Sequence, residues 1–135
     1  IKHDIFRETL KRFKINEGIE ITSLADIQSG TGLGSSGAFT VGLINALMRF
    51  KKRNPKKNKI ASEACKIEID ILKRKVGKQD QFSTAIGGIT YQKYNSNGTV
   101  IINKPILSKT KMLDFSDKLL LFIQERQEMP QKCFH

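Results

Sequence analysis

Apolar residues recur along the chain at two periods, and each change of period marks an expected element. In HDIFRETLKRF, Ile5, Phe6, Leu10 and Phe13 fall at roughly helical spacing. A break at Asn16-Glu17-Gly18 follows, with Gly18 suited to a C-terminal cap. Residues 19–27 alternate instead and predict a strand, with Ile19, Ile21, Leu24 and Ile27 as its apolar members. A glycine-rich turn then opens into AFTVGLINALMRF, where Phe39, Leu43, Ala46, Leu47 and Phe50 mark a buried helical face that ends before Pro55. A second helix is expected over residues 61–73, with Ser62 or Asn58 as its cap. A short third one, over residues 80–85, runs into Gly87-Gly88. ITYQKY and TVIINK read as strands joined by Asn95-Ser96-Asn97-Gly98, a hairpin signal. LLLFI reads as a last, buried strand. Strands and helices interleave without regular βαβ alternation, which predicts a two-layer α+β domain.

The 135 residues and 39% hydrophobic content suit one modest domain. No run is long and apolar enough to span a membrane and no secretory signal opens the chain. It begins with Ile1, so a processed chain or a fragment is expected. Cys65 and Cys133 have neither metal-type spacing nor a disulfide pattern, and a reducing cytoplasm is the expected compartment. The net charge of +11 is concentrated in KKRNPKKNK, where six of nine residues are basic. No aromatics interleave there, so the run reads as a solvated loop between helices and no nucleic-acid partner is expected. A basic, non-catalytic RNA-binding module is the alternative from a different class.

The most informative segment is Gly30-Thr31-Gly32-Leu33-Gly34-Ser35-Ser36-Gly37. A glycine-serine turn at the start of a helix offers unpaired N–H groups and the positive end of the helix dipole to an anion. Three familiar readings fail. A dinucleotide fingerprint needs a second strand ending in an acid about 20 residues on, and that region is helical and then basic. A Walker A loop needs a lysine before the serine pair. A hydrolase elbow needs a histidine partner, and the histidines, His3 and His135, lie at the two ends.

Two carboxylates accompany the loop. Glu68 shares a helical face with Ala61, Ala64, Cys65 and Leu72, whereas Glu63, Lys66, Asp70 and Lys73 fall on the solvated side. A carboxylate on an apolar face requires a partner, either a salt bridge or a bound cation. Asp80 suits a helix N-cap as well as it suits proton transfer. Cys65 reads as a small core residue.

The G-x-G-L-G-S-S-G loop between strand and helix resembles the phosphate-binding motif of the GHMP kinases. Val76-Gly77-Lys78-Gln79-Asp80-Gln81-Phe82, followed by Gly87-Gly88, resembles the G-x-x-D-Q-[FY] stretch of that family's galactokinase branch. The GKQDQ form, together with GTGLGSSGAFTVGLINAL, is similar to members acting on D-glycero-D-manno-heptose 7-phosphate. The resemblance covers nearly all of residues 1–122, which is less than half of such an enzyme. One departure is Gln28, where the family usually has proline.

The resemblance implies a two-layer β-α sandwich, ribosomal-protein-like and incomplete, with a left-handed crossover against the usual rule. It implies ATP phosphates held by Gly30, Thr31, Gly32, Leu33, Gly34, Ser35, Ser36 and Gly37. Mg²⁺ would be bound by Ser36 and Glu68, with Ser35 as the phosphate or helix-capping donor. Asp80 would be the general base for the anomeric hydroxyl of a sugar phosphate, and Lys78 a phosphate or surface contact. Another GHMP sugar kinase, of the fucose or galactose type, is the nearer alternative. The family's N-terminal sugar-binding segment and C-terminal half have no counterpart, so the isolated chain is expected to be inactive.

After Phe122 the family continues with a YTGxTRxASE-like stretch, whereas this chain reads IQERQEMPQKCFH. Deleting one base from codons for FYTGTTRNASEML gives FIQERQEMPQKC and then Phe134. Residues 123–135 therefore read as an out-of-frame tail.

Overall fold

The structure is a computed structural model that describes residues 2–16, 18–27 and 31–122. The chain divides into two units, Ile1–Lys104 and Pro105–His135. The first contains helices α1 (Asp4–Arg12), α2 (Ser35–Phe50) and α3 (Lys57–Cys65), which continues directly into a π-helical segment, Lys66–Ile71. Helix α4 (Gln79–Ile86) and the strands β1 (Tyr91–Tyr94) and β2 (Val100–Asn103) follow. The mixture of helices with a small antiparallel sheet is an α+β fold.

Packing against neighbours decides which face of α2 is inside. Thr40, Val41, Leu43, Ile44, Leu47 and Met48 are buried, while Phe39 is half-buried and Ala46 and Phe50 are exposed. The helix is apolar on nearly every side, so its period alone could not select the face. Ile5, Leu10 and Phe13 of the α1 region, Ile60 and Ala64 of α3 and Ile67 complete this core. A second cluster joins Ala61, Cys65 and Phe82 to the hairpin residues Val100 and Ile102. The hairpin register pairs Tyr91 with Asn103 and Tyr94 with Val100, and the turn closes with Gly98 N–H donating to Asn95 O at 2.9 Å.

Several expectations are corrected. Residues 19–27 form no strand: a strand exists through its ladder, and among the described residues β1 and β2 pair only with each other. Ile19 and Ile21 still pack against the core, whereas Leu24 is 93% exposed. Gly18 does not cap α1. The helix closes earlier, with Lys14 at φ 52° and Ile15 N–H donating to Leu10 O at 3.0 Å. Helix α2 ends the same way on Lys52 (φ 55°), with Arg53 N–H donating to Met48 O. Lysines thus occupy left-handed positions that glycine usually fills. Neither Asn58 nor Ser62 caps α3, whose N-cap is Lys56; the Ser62 hydroxyl instead donates back to Asn58 O at 2.8 Å.

In the second unit the described residues include an unforeseen helix, α5 (Lys109–Asp117), capped by Ser108 Oγ accepting from Lys111 N–H. Leu119, Leu120, Leu121 and Phe122 form no strand and are exposed, so the expected last strand is absent there. Ile123 and the rest of the tail, Cys133 included, lie outside the described residues, as do Gln28 and Gly30.

Candidate active site

Helix α2 begins where Gly34 turns the chain into it at φ 74°, and Ala38 N–H donates to Gly34 O at 2.9 Å. The following glycine has a different purpose. A Cβ on Gly37 would lie 2.8 Å from Asp80 Cβ, and one on Gly34 would lie 2.9 Å from Asp80 Cγ. The absence of two side chains therefore lets the first turn of α4 pack onto the first turn of α2. Two segments more than forty residues apart in sequence, the glycine-serine turn and QDQF, meet at backbone contact distance.

Asp80 is not a helix cap. The N-cap of α4 is Lys78, and Asp80 is the second residue of the helix, exposed beside Gly34. Its neighbour Gln81 points inward and is 1% exposed. Gln81 Nε2 donates to Glu68 Oε1 at 3.2 Å, while its own Oε1 has no hydrogen-bond partner among the described residues. Lys78 Nζ donates to Gly98 O at 3.2 Å and ties the hairpin turn to the start of α4.

Glu68 is 1% exposed, as its position on the apolar face predicted. Both of its oxygens are engaged, Oε1 by Gln81 and Oε2 by the Ser36 hydroxyl, which donates at 2.8 Å. Ser36 Oγ accepts in turn from Arg74 Nη1 at 2.8 Å. The Ser36 carbonyl receives the buried Thr40 hydroxyl at 2.9 Å, which fixes the first turn of α2. Arg74 Nη2 donates to Asp4 Oδ1 and Oδ2 at 2.8 and 2.9 Å. This guanidinium, with a smaller contribution from the Ile5 N–H, holds the Asp4 carboxyl below its usual range against the opposing effect of burial. Ser35 is the first residue of α2, and the cap position is Gly34.

Ser36, Glu68 and Asp80 are thus brought to one place, with Gly32, Leu33, Gly34, Ser35 and Gly37 of the turn beside or leading into it. Thr31 begins the described part of the loop, and Gly30 lies outside it. Arg74, Asp4, Gln81 and Thr40 were not anticipated. Gln81 was legible in principle, since it flanks Asp80 in QDQF. Arg74 was hidden in a run of basic residues, and its position depends on the left-handed Lys73 before it (φ 53°).

Glu63, expected on the solvated side, is buried. Burial alone would raise its pKa, but Arg12 and Lys59 outweigh it and hold the carboxyl below its usual range. Arg12 Nη2 lies 2.6 Å from Oε2 and Lys59 Nζ 3.1 Å from Oε1. Arg12 comes from α1, so a pattern confined to one helix could not reveal that partner. The basic run is partly consumed by such structural bonds: Lys51 donates to Phe13 O and Lys57 to Ile86 O. Cys65 is a core residue, its thiol pushed up to about 11 chiefly by burial.

The donor set at Ser36 and Glu68 is a hydroxyl and a carboxylate, hard oxygen ligands suited to Mg²⁺. Among the described residues no three His, Cys, Asp or Glu side chains cluster to form a closed cage. Two protein oxygens are enough for an ion that keeps water and phosphate oxygens.

A profile of the GHMP kinases N terminal domain matches residues 3–88. A D-glycero-alpha-D-manno-heptose 7-phosphate kinase of Campylobacter jejuni is 31% identical over 107 residues, covering 76% of this chain and 32% of that protein. A mevalonate kinase of Methanothermobacter thermautotrophicus is 37% identical over 76 residues, covering 54% of this chain and 24% of the relative. The crystal structure of a D-glycero-D-manno-heptose 1-phosphate kinase from Bacteriodes thetaiotaomicron superposes with a TM-score of 0.65 at 26% identity, over 82% of this chain and 36% of that one. The chain spans about a third or less of the length of these relatives. Among the described residues no helix is long and apolar enough to cross a membrane.

Proposed function

The chain belongs to the GHMP kinase family, and on that premise we propose that it is the central part of a cytoplasmic, ATP-dependent sugar-phosphate kinase. The acceptor is the anomeric hydroxyl of D-glycero-D-manno-heptose 7-phosphate. The observation that carries this reading is the convergence of Ser36, Glu68 and Asp80 at the start of α2, through the contact that Gly34 and Gly37 permit. The heptose 7-phosphate kinase relative supports this acceptor, and the structure titled a heptose 1-phosphate kinase supports the broader class of heptose phosphates.

The loop N–H groups and the N-terminus of α2 bind and orient the ATP phosphates. Ser36 Oγ and Glu68 would hold Mg²⁺, which when bound offsets charge on the transferring phosphoryl group. Gln81 fixes the Glu68 carboxylate by occupying Oε1 and leaving Oε2 to the Ser36 side. Asp80, exposed beside the loop, accepts the proton of the attacking hydroxyl. Phosphoryl transfer depends mainly on positioning and charge stabilisation, so an aspartate can serve as its base. The two-layer β-α sandwich belongs to the same reading. The stripe of Phe39, Ala46 and Phe50 on α2 is the surface that a β layer would cover.

The test is ³¹P NMR of ATP with heptose 7-phosphate, galactose, fucose and mevalonate, run on the chain and on the product extended by its flanking coding sequence. The extended product is expected to form an anomeric phosphate monoester from heptose 7-phosphate, and Asp80→Asn to lower its rate by at least about 10²-fold. Transfer to mevalonate in preference, the reading favoured by the second relative, would replace the acceptor assignment. The same DNA tests the tail: no single-base restoration of a T-G-x-T-R-x-A-S reading means no frameshift.

A further inference from the structure

Arg74 belongs to none of the motifs, yet its side chain lies at the centre of the site. Its backbone N–H donates to Glu68 O at 2.9 Å and closes the π-helical segment after the left-handed Lys73. That closure turns the side chain back toward α2. There Nη1 donates to Ser36 Oγ, while Nη2 is held by both oxygens of Asp4. A guanidinium is a permanent cation with donors only. It therefore occupies a lone pair of Ser36 Oγ and puts positive charge beside the Ser36–Glu68 pair.

A divalent ion would need that same oxygen. Mg²⁺ binds oxygen at about 2.1 Å, and the Arg74 nitrogen is 2.8 Å from Ser36 Oγ. Two like charges sharing one small oxygen repel strongly in a partly buried site. Asp4 supplies the alternative seat, because two hydrogen bonds to Nη2 can keep Arg74 in place after Nη1 has let go. An incoming phosphate oxygen would be a strong acceptor for the released Nη1.

We propose that Arg74 is an internal competitor for the divalent ion, which weakens metal binding in the absence of nucleotide and couples metal entry to the arrival of phosphate. This rests on the reading of Ser36 and Glu68 as the metal pair. The test is Mn²⁺ binding to the chain, followed by the electron paramagnetic resonance signal of the free ion, without nucleotide and then with a non-hydrolysable ATP analogue. Arg74→Gln is expected to bind nucleotide-free Mn²⁺ about tenfold more tightly than the unmodified chain, because a like charge is removed. Arg74→Lys, which keeps a charge, is expected to stay near the original affinity. Unchanged or weaker binding in Arg74→Gln overturns the proposal. In the unmodified chain, saturating Mg²⁺ should shift the ¹⁵N resonances of the Arg74 guanidinium, and an unmoved guanidinium overturns it without any variant. Glu68→Gln separates the two claims: Mn²⁺ binding that survives this change removes the metal pair itself.

Discussion

Gly37 and Gly42 both lie within α2, and replacing each by alanine should have opposite effects. In a helix interior, alanine is favoured over glycine by about 1 kcal/mol. At Gly42 the new methyl would meet nothing within 4 Å, so the full gain is expected. For a chain of this size that corresponds to a rise in melting temperature of about 3–5 °C. At Gly37 the same methyl would lie 2.8 Å from Asp80 Cβ and 3.3 Å from both the Asp80 carbonyl carbon and the Gln81 nitrogen. Carbon atoms prefer about 3.5–4.0 Å, and these neighbours are backbone or attached directly to it. Helix α4 must therefore shift, at an overpacking cost of about 1–3 kcal/mol. After the helix gain, a net loss of about 1 kcal/mol is expected. The shift would also strain the Gln81–Glu68 bond. Thermal unfolding followed by circular dichroism reads both variants. A Gly37→Ala chain that gains as much stability as Gly42→Ala would mean that α4 does not rest on the first turn of α2.

Arg12→Ala leaves the buried Glu63 with Lys59 alone and should cost about 1–2 kcal/mol by urea unfolding, reduced by the partial exposure of Arg12. A cost near zero would make the pair ornamental. Asp4 and Glu63 both have folded pKa values below their ordinary ones. Their contribution to stability is therefore complete above the unfolded values, near about pH 4, and is lost as pH falls through the folded values. Melting temperatures measured between pH 6 and pH 3 should hold and then drop below about pH 4; a flat profile contradicts the assignment. Lys52→Gly removes a side chain from a left-handed position and should stabilise by about 0.5–1 kcal/mol, which the same unfolding assay would detect.

What was legible in the sequence was local. The glycine turn announced the start of α2, Asn97-Gly98 placed the hairpin, and the apolar neighbours of Glu68 announced its burial. The period of α2 gave a helix but not its inner face, because apolar residues surround it and only its neighbours choose. Strand assignments at residues 19–27 and 119–122 failed for a related reason. Alternation or apolar content gives a strand only when a partner supplies the ladder. The Arg12–Glu63 and Arg74–Ser36 pairs join segments 51 and 38 residues apart, beyond any helical repeat. The π-helical segment and the left-handed lysines are backbone choices with no side-chain signature. Even so, the three residues on which the proposed chemistry depends were identifiable. Ser36 and Asp80 stood in recognisable motifs, and Glu68 stood on an apolar helical face.

The central claim is that the phosphates of ATP and a divalent ion bind at the glycine-serine turn. Amide resonances of the chain, recorded with sub-stoichiometric Mn²⁺ and a non-hydrolysable ATP analogue, test it directly through paramagnetic broadening. The amides of Gly32, Gly34, Ser35, Ser36 and Gly37 should broaden first, and Glu68→Gln should abolish the effect. Broadening centred on the lysine-rich run of residues 51–59, or unaffected by Glu68→Gln, would contradict the account.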